Sequence, residues 1–183
     1  MEPQKMRKCL KLLTLLISSL LIATASAYTY NMFMSASVGV EATELSFTQG
    51  TDFDKCGGNL LDNNQKVTFS MMNGKPGVEA IYNPVGIYNA NDTAGHLIEL
   101  KLDSWTGNTE AHLYNITITM YDGTTQKGDS IVLIPGGTGQ VETSGDQTIL
   151  ATTTWRVQWQ VWWNGDALLA DTVNVNLLLV IKS

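Results

Sequence analysis

The sequence predicts an all-β protein built as a single antiparallel β-sandwich. Three observations carry that prediction. From Tyr28 onward the chain is dense in Thr, Val, Tyr and Asn and poor in the Ala-Glu-Lys-Leu mixture of helices. Its apolar positions recur at intervals of two, the period of a strand whose alternate side chains face opposite ways. The patterned segments are punctuated by Asn73-Gly74, Asn83-Pro84, Asp122-Gly123, Pro135-Gly136-Gly137 and Asn164-Gly165-Asp166, residues whose backbone preferences suit tight turns.

Taken in chain order, residues 1–27 read as a Sec-type export signal. Lys5, Arg7, Lys8 and Lys11 precede an apolar run over residues 12–25, and Ala25-Ser26-Ala27 fits the small-x-small rule for cleavage before Tyr28. A run of about 14 residues is short of the roughly 20 that span a bilayer, so no membrane span is expected after cleavage. Cys9 lies in the basic region and not at the cleavage point, which argues against a lipid anchor.

Residues 28–40 form the first expected strand, with Tyr28, Tyr30, Met32, Met34, Ala36, Val38 and Val40 on one face in strict alternation. Residues 41–183 are expected to make the sandwich. Residues 50–65 hold three Gly and several Asp and Asn with little periodicity, the composition of a long loop. Further strands are expected over 67–72, 78–82, 97–102, 111–121, 130–134, 149–163 and 172–181. The last has apolar residues on both faces near its end, Leu178 and Val180 beside Leu177, Leu179 and Ile181, which predicts a central position in its sheet. About eight or nine strands in a chain of this length suggest an immunoglobulin-like or jelly-roll sandwich, one domain with no internal repeat.

Charge and cysteines bound the function. Cleavage before Tyr28 would leave seven Lys and Arg against sixteen Asp and Glu, a formal charge of −9. Such a balance argues against nucleic acid or an anionic membrane as partner. Only Cys56 would remain, so no internal disulfide is available and stability must come from packing, sheet closure or association between copies. A lone Cys of this kind serves as a small buried hydrophobe or as a thiol that pairs between molecules.

No catalytic motif, metal set or cofactor loop emerges, and the chain is not expected to be an enzyme. His96 and His112 sit in no His-Glu-x-x-His frame, and neither a Gly-x-Ser-x-Gly elbow nor a phosphate loop is present. Asp52-Phe53-Asp54-Lys55-Cys56-Gly57 starts like a calcium loop, but Cys56 stands at the fifth position, where an oxygen ligand belongs, and Asn63 at the twelfth, where a bidentate carboxylate belongs. In the segment 155–163, alternation puts Trp155, Val157, Trp159, Val161 and Trp163 on one face and Arg156, Gln158, Gln160 and Trp162 on the other. The tryptophan row fits a sandwich core or a sugar-stacking platform, and Trp162, on the polar face, is the better candidate for an exposed contact. Asn91-Asp92-Thr93 and Asn115-Ile116-Thr117 are glycosylation sequons, with Asn91 in an expected turn.

An export signal, an apolar strand at the start of the processed chain and then one sandwich make a layout that resembles secreted filament subunits: TasA-like and camelysin-like biofilm fibre proteins, and archaeal bundling-pilus and thread subunits. Leu45-Ser46-Phe47-Thr48-Gln49-Gly50-Thr51-Asp52 is similar to the Phe and Gly-Thr segment that follows the first strand there. The spacing from the cleavage point is longer here. The resemblance implies homopolymerisation by donor strand, residues 28–40 of one copy completing the sheet of the next, with a role in adhesion or biofilm and contacts to other filaments or cell-surface components. An ordinary first strand of a closed monomer is the alternative for residues 28–40. A secreted carbohydrate-binding module using Trp155, Trp159, Trp162 and Trp163 is the alternative function.

Overall fold

The computed structural model describes residues 38–39, 44–69, 74–107, 112–168, 171 and 173–182. Eleven strands are found among them: β1 Val38–Gly39, β2 Leu45–Gln49, β3 Asn59–Leu61, β4 Lys66–Thr68, β5 Glu79–Asn89, β6 His96–Gly107, β7 Leu113–Asp122, β8 Thr125–Leu133, β9 Gln147–Ile149, β10 Thr154–Trp163 and β11 Val173–Lys182. The protein is all-β, and every strand pairing is antiparallel. A five-stranded sheet runs β2-β5-β10-β7-β8, a three-stranded sheet β11-β6-β9, and a smaller one β1-β4-β3.

The two larger sheets enclose one core. Phe47, Ile87, Ile116, Ile131 and the alternate residues of β10 line it from the first sheet, and Ile98, Leu100, Val175 and Leu177 from the second, all buried. Trp155, Trp159 and Trp163 are each 1% exposed and are the largest side chains in it. Burying a Leu, Ile, Val or Phe is worth about 1.5–3 kcal/mol relative to exposure, so this layer carries the fold without a disulfide. Phe53, Cys56, Val67 and Phe69 close one end, with the Phe53 and Phe69 rings edge to face at 6.3 Å.

Several expectations are corrected by the pairing. Asn83-Pro84 is no turn: it lies inside β5, where Tyr82 faces Trp159 and Val85 faces Val157, so two residues oppose Gln158 alone. Proline lacks the N–H that an inner ladder needs, and a bulge is where a sheet tolerates it. The expected strand over 149–163 is two strands, because the chain leaves β6 at Ile149 and joins β5 at Thr154. The expected loop over 50–65 contains β3, and its hairpin to β4 turns through Asp62, Asn63 and Asn64, all left-handed at φ 52, 56 and 66°. Asn and Asp tolerate that region better than other residues with a side chain. The hairpin is tied to β2 by the Phe47 N–H, which donates to the Asn64 carbonyl at 2.7 Å.

β11 is the other correction. Among the described residues it pairs with β6 alone and stands at the end of its sheet, and Leu178 is 41% exposed. Its core face, Val173, Val175, Leu177 and Leu179, is buried as the alternation requires. β1 pairs with β4 through Val38 opposite Val67 and also lies beside β11.

The sheets are joined where 141–149 crosses between them. Val141 bridges Val132 of β8, Thr143 bridges Lys101 of β6, and β9 then continues along β6. Gly128 is needed here: at φ 71° its Cα faces the crossing chain, and an added Cβ would lie 2.2 Å from the Ser144 carbonyl oxygen.

Candidate functional site

Two surfaces of the sandwich present chemistry, a sheet edge that is unpaired among the described residues and one outer sheet face. The edge is that of β11, a ten-residue strand with an apolar core face. Of the residues expected to form a donated strand, only Val38 belongs to the described chain, and its backbone is paired internally. Tyr28, Tyr30, Met32, Met34, Ala36 and Val40 lie outside the described residues, as do residues 1–27.

The outer face of the five-stranded sheet is set by the polar parity of β10. Arg156, Gln158, Gln160 and Trp162 point away from the core, between Gly86, Ile81 and Glu79 of β5 and Tyr121, Thr119, Thr117 and Asn115 of β7. A second bulge, between Trp162 and Trp163, brings Tyr114 onto this face as well. The rings of Tyr114 and Trp162 lie 4.4 Å apart at 42°, and both are exposed, 53% and 39%.

At the other end of the strip the Arg156 guanidinium sits over the Tyr121 ring, 4.8 Å from its centroid, in cation–π geometry. Between them the face is knitted by polar bonds: Gln158 Nε2 donates to Asn83 Oδ1 at 3.2 Å, and the Thr119 and Ser130 hydroxyls bond at 2.7 Å. A cavity of about 300 Å³ opens beside Arg156, lined also by Thr48, Thr51, Asn83, Tyr121 and Thr154.

The remaining sequence candidates are placed as follows. Trp155, Trp159 and Trp163 are core residues, which removes them from any sugar platform and leaves Trp162 of that set. Trp105 packs partly buried against the core. Asn91 is half-buried: its Oδ1 accepts from Thr93 N–H and Ala94 N–H, both at 2.9 Å, and its Nδ2 donates to Glu44 Oε2 at 2.9 Å. Asn115 lies on the outer face opposite Trp162. The two imidazoles are each beside one carboxylate, His96 Nε2 at 2.7 Å from Glu44 and His112 Nδ1 at 2.9 Å from Asp171.

Asp52 acts as a fastener. Its carboxylate accepts from Lys55 Nζ at 2.8 Å and from the Asn83 N–H at 3.0 Å, which ties the 50–58 turn to the β5 bulge. The lysine bond first, then the backbone bond, holds this carboxyl below the usual range. Among the described residues no group of three His, Cys, Asp or Glu is gathered as metal ligands. Cys56 has no solvent exposure, and burial, followed by the nearby Asp52 charge, pushes its thiol up to about 12.

Sequence reasoning missed Tyr114, Tyr121 and Gly86. The signal for Tyr121 was the aromatic opposite an arginine, visible only once β7 and β10 are put in register. No protein-family model and no curated protein matches the chain.

Proposed function

We propose that this chain is a secreted structural subunit of an extracellular filament, which polymerises when residues 28–40 of one copy add to the sheet of the next. The observation that supports this most is the β11 edge. A ten-residue strand with an apolar core face pairs on one side only, among the described residues, and β1 lies near it. An unpaired edge of that length is a template for another strand, since main-chain groups of both partners gain hydrogen bonds. Residues 28–40 bring seven alternating apolar side chains to such a joint, and each large one buried adds about 1.5–3 kcal/mol before ordering costs. A terminal strand leaves its own domain without disturbing any other connection, so donation to a neighbour and closure on its own edge differ in partner and not in contacts.

The test is to compare the secreted protein with a version lacking residues 28–40, by light scattering and negative-stain microscopy over a range of concentrations. Filaments from the first and monomers from the second are expected, with the matching synthetic peptide raising the melting temperature of the monomer. A full-length protein that stays monomeric at high concentration, or filaments from the shortened one, would remove the reading.

A carbohydrate-binding function is favoured by a separate observation, the exposed Tyr114–Trp162 ring pair on a polar sheet face. Aromatic rings of this kind combine an apolar surface with a polar tip.

A further inference from the structure

We propose that the cavity beside Arg156 is a binding site for a carboxylate-bearing sugar of an acidic glycan, with Arg156 as the residue that recognises the carboxylate. Arg156 and Arg7 are the two arginines of the chain, and Arg156 has no ion-pair partner among the described residues. Its Cζ lies over the Tyr121 ring at 4.8 Å from the centroid, so the guanidinium is held beside the cavity by a cation–π contact that uses none of its N–H donors, and a planar guanidinium can grip a carboxylate with two parallel bonds.

The surroundings single out an anion. The chain carries 17 Asp and Glu against 11 Lys and Arg, yet no residue lining this cavity is acidic. Two carboxylates adjoin the lining in sequence, and each is neutralised by a lysine: Asp52 by Lys55 at 2.8 Å and Asp122 by Lys127 at 3.4 Å. A negatively charged ligand therefore meets an uncompensated arginine in an otherwise acidic molecule.

The rest of the lining suits a sugar ring. Thr48, Thr51 and Thr154 offer hydroxyls and Asn83 an amide, groups that both donate to and accept from ring hydroxyls. Gly86 makes the floor: a Cβ there would lie 2.7 Å from Thr48 Oγ1 and 3.0 Å from Thr154 Cγ2, so any side chain would crowd the depression. A volume of about 300 Å³ is at the small end of ligand pockets and matches one sugar unit better than a peptide. Beyond the cavity Gln158, Gln160 and Trp162 continue on the same face of β10, about 20 Å from Arg156 to Trp162 at the usual rise per residue. A short oligosaccharide lying along the strand meets amides and then the Trp162–Tyr114 rings.

The site is on the opposite sheet from the β11 edge, so this proposal stands or falls apart from strand donation. It is tested by titrating the secreted protein with tetragalacturonate and with the neutral cellotetraose, by calorimetry and by amide chemical shifts. Tetragalacturonate is expected to bind at least about tenfold more tightly than cellotetraose, the scale of one charge-assisted bidentate contact, with shifts centred on Gly86, Tyr121 and Arg156. Arg156→Gln should weaken it by about tenfold or more at unchanged melting temperature, and Arg156→Lys should recover only part of the loss. Equal binding of the two sugars, unchanged affinity in Arg156→Gln, or no binding at millimolar concentration overturns the proposal. So does loss of self-association in Arg156→Gln without any sugar binding, which would assign the cavity to an acidic side chain of a second copy.

Discussion

The side-chain amide of Asn89 joins the two sheets of the sandwich to each other, donating from the end of β5 to the carbonyl of Ile149 at the end of β9, 3.3 Å away, with neither residue exposed. The same Nδ2 donates to the carbonyls of Ala94 at 3.0 Å and Leu150 at 3.1 Å, and Oδ1 accepts from the Asn91 N–H at 3.0 Å. Both the donor and the acceptor end of one buried side chain are thus used at the point where the chain crosses between layers. Replacing Asn89 with Ala strips partners from several backbone groups at once, and each buried group left unsatisfied costs about 1–3 kcal/mol. A loss of about 3 kcal/mol is expected, read as a lower urea midpoint at unchanged slope. Asn176→Ala, which removes an exposed bond to Ser104, should stay within about 0.5 kcal/mol. Equal effects from the two would show that the crossing is held by packing alone.

Cys56 gives a second prediction. With its thiol buried and raised to about 12, it stays protonated at neutral pH and should resist a thiol-labelling reagent until the protein unfolds. The sign of the linked pH effect follows from the raised value. The unfolded chain loses the proton first, so stability is complete below the ordinary value of 9.0 and falls as pH rises from there toward about 12. Cys56→Ala should abolish that alkaline component. Rapid labelling of the native protein at pH 7 would contradict it.

Asp52 gives the opposite dependence. Its carboxyl is lowered by Lys55 and by the Asn83 N–H, so its contribution is present above the ordinary value of 3.8 and disappears as pH falls below it. Asp52→Asn should be less stable than the parent at pH 7, and the gap should shrink toward pH 3 as the parent carboxyl gains its proton. Urea midpoints at the two pH values decide this; a gap of constant size would mean that the carboxylate charge plays no part.

The legible parts of this fold are those governed by neighbours in sequence. Along β10 a period of two suffices to put Trp155, Trp159 and Trp163 on one face and Arg156 and Trp162 on the other, and burial alternates in the same way. The turn at Asp122-Gly123 is likewise local, with Gly123 at φ 59° where a two-residue hairpin needs a left-handed residue. What escaped sequence reading depends on partners far along the chain. Asn83-Pro84 has the chemistry of a turn, and only the single residue Gln158 opposite makes it a bulge. The break at 150–153 is fixed by Asn89, some 60 positions earlier. The apolar double face of β11 suggested a central strand, whereas among the described residues it pairs with β6 alone, and sheet order is a matter of topology that residue pattern does not encode. The Arg156 cavity depends on register twice, once for Tyr121 and once for Gly86, and so left no trace in the linear sequence.

If residues 28–40 add to a neighbouring copy as proposed, one face of that segment must hold the joint together. Alternation assigns Met32 and Met34 to the apolar face and Ser35 and Ser37 to the other. An aspartate on the apolar face would be buried without a partner, and an uncompensated buried charge costs several kcal/mol even after relaxation. Met34→Asp should therefore abolish polymerisation, while Ser35→Asp, one residue away and equally charged, should leave filaments that form more slowly. The pair separates geometry from charge, since both variants add one negative charge to the same segment of an already acidic protein. A shift of register by one residue would exchange the two faces and with them the two outcomes. Thermal melting of the core domain should be the same in both, which distinguishes a blocked joint from a damaged fold. If the two variants assemble equally well or fail equally, residues 28–40 are not held by one buried face, and strand addition is not what joins the subunits.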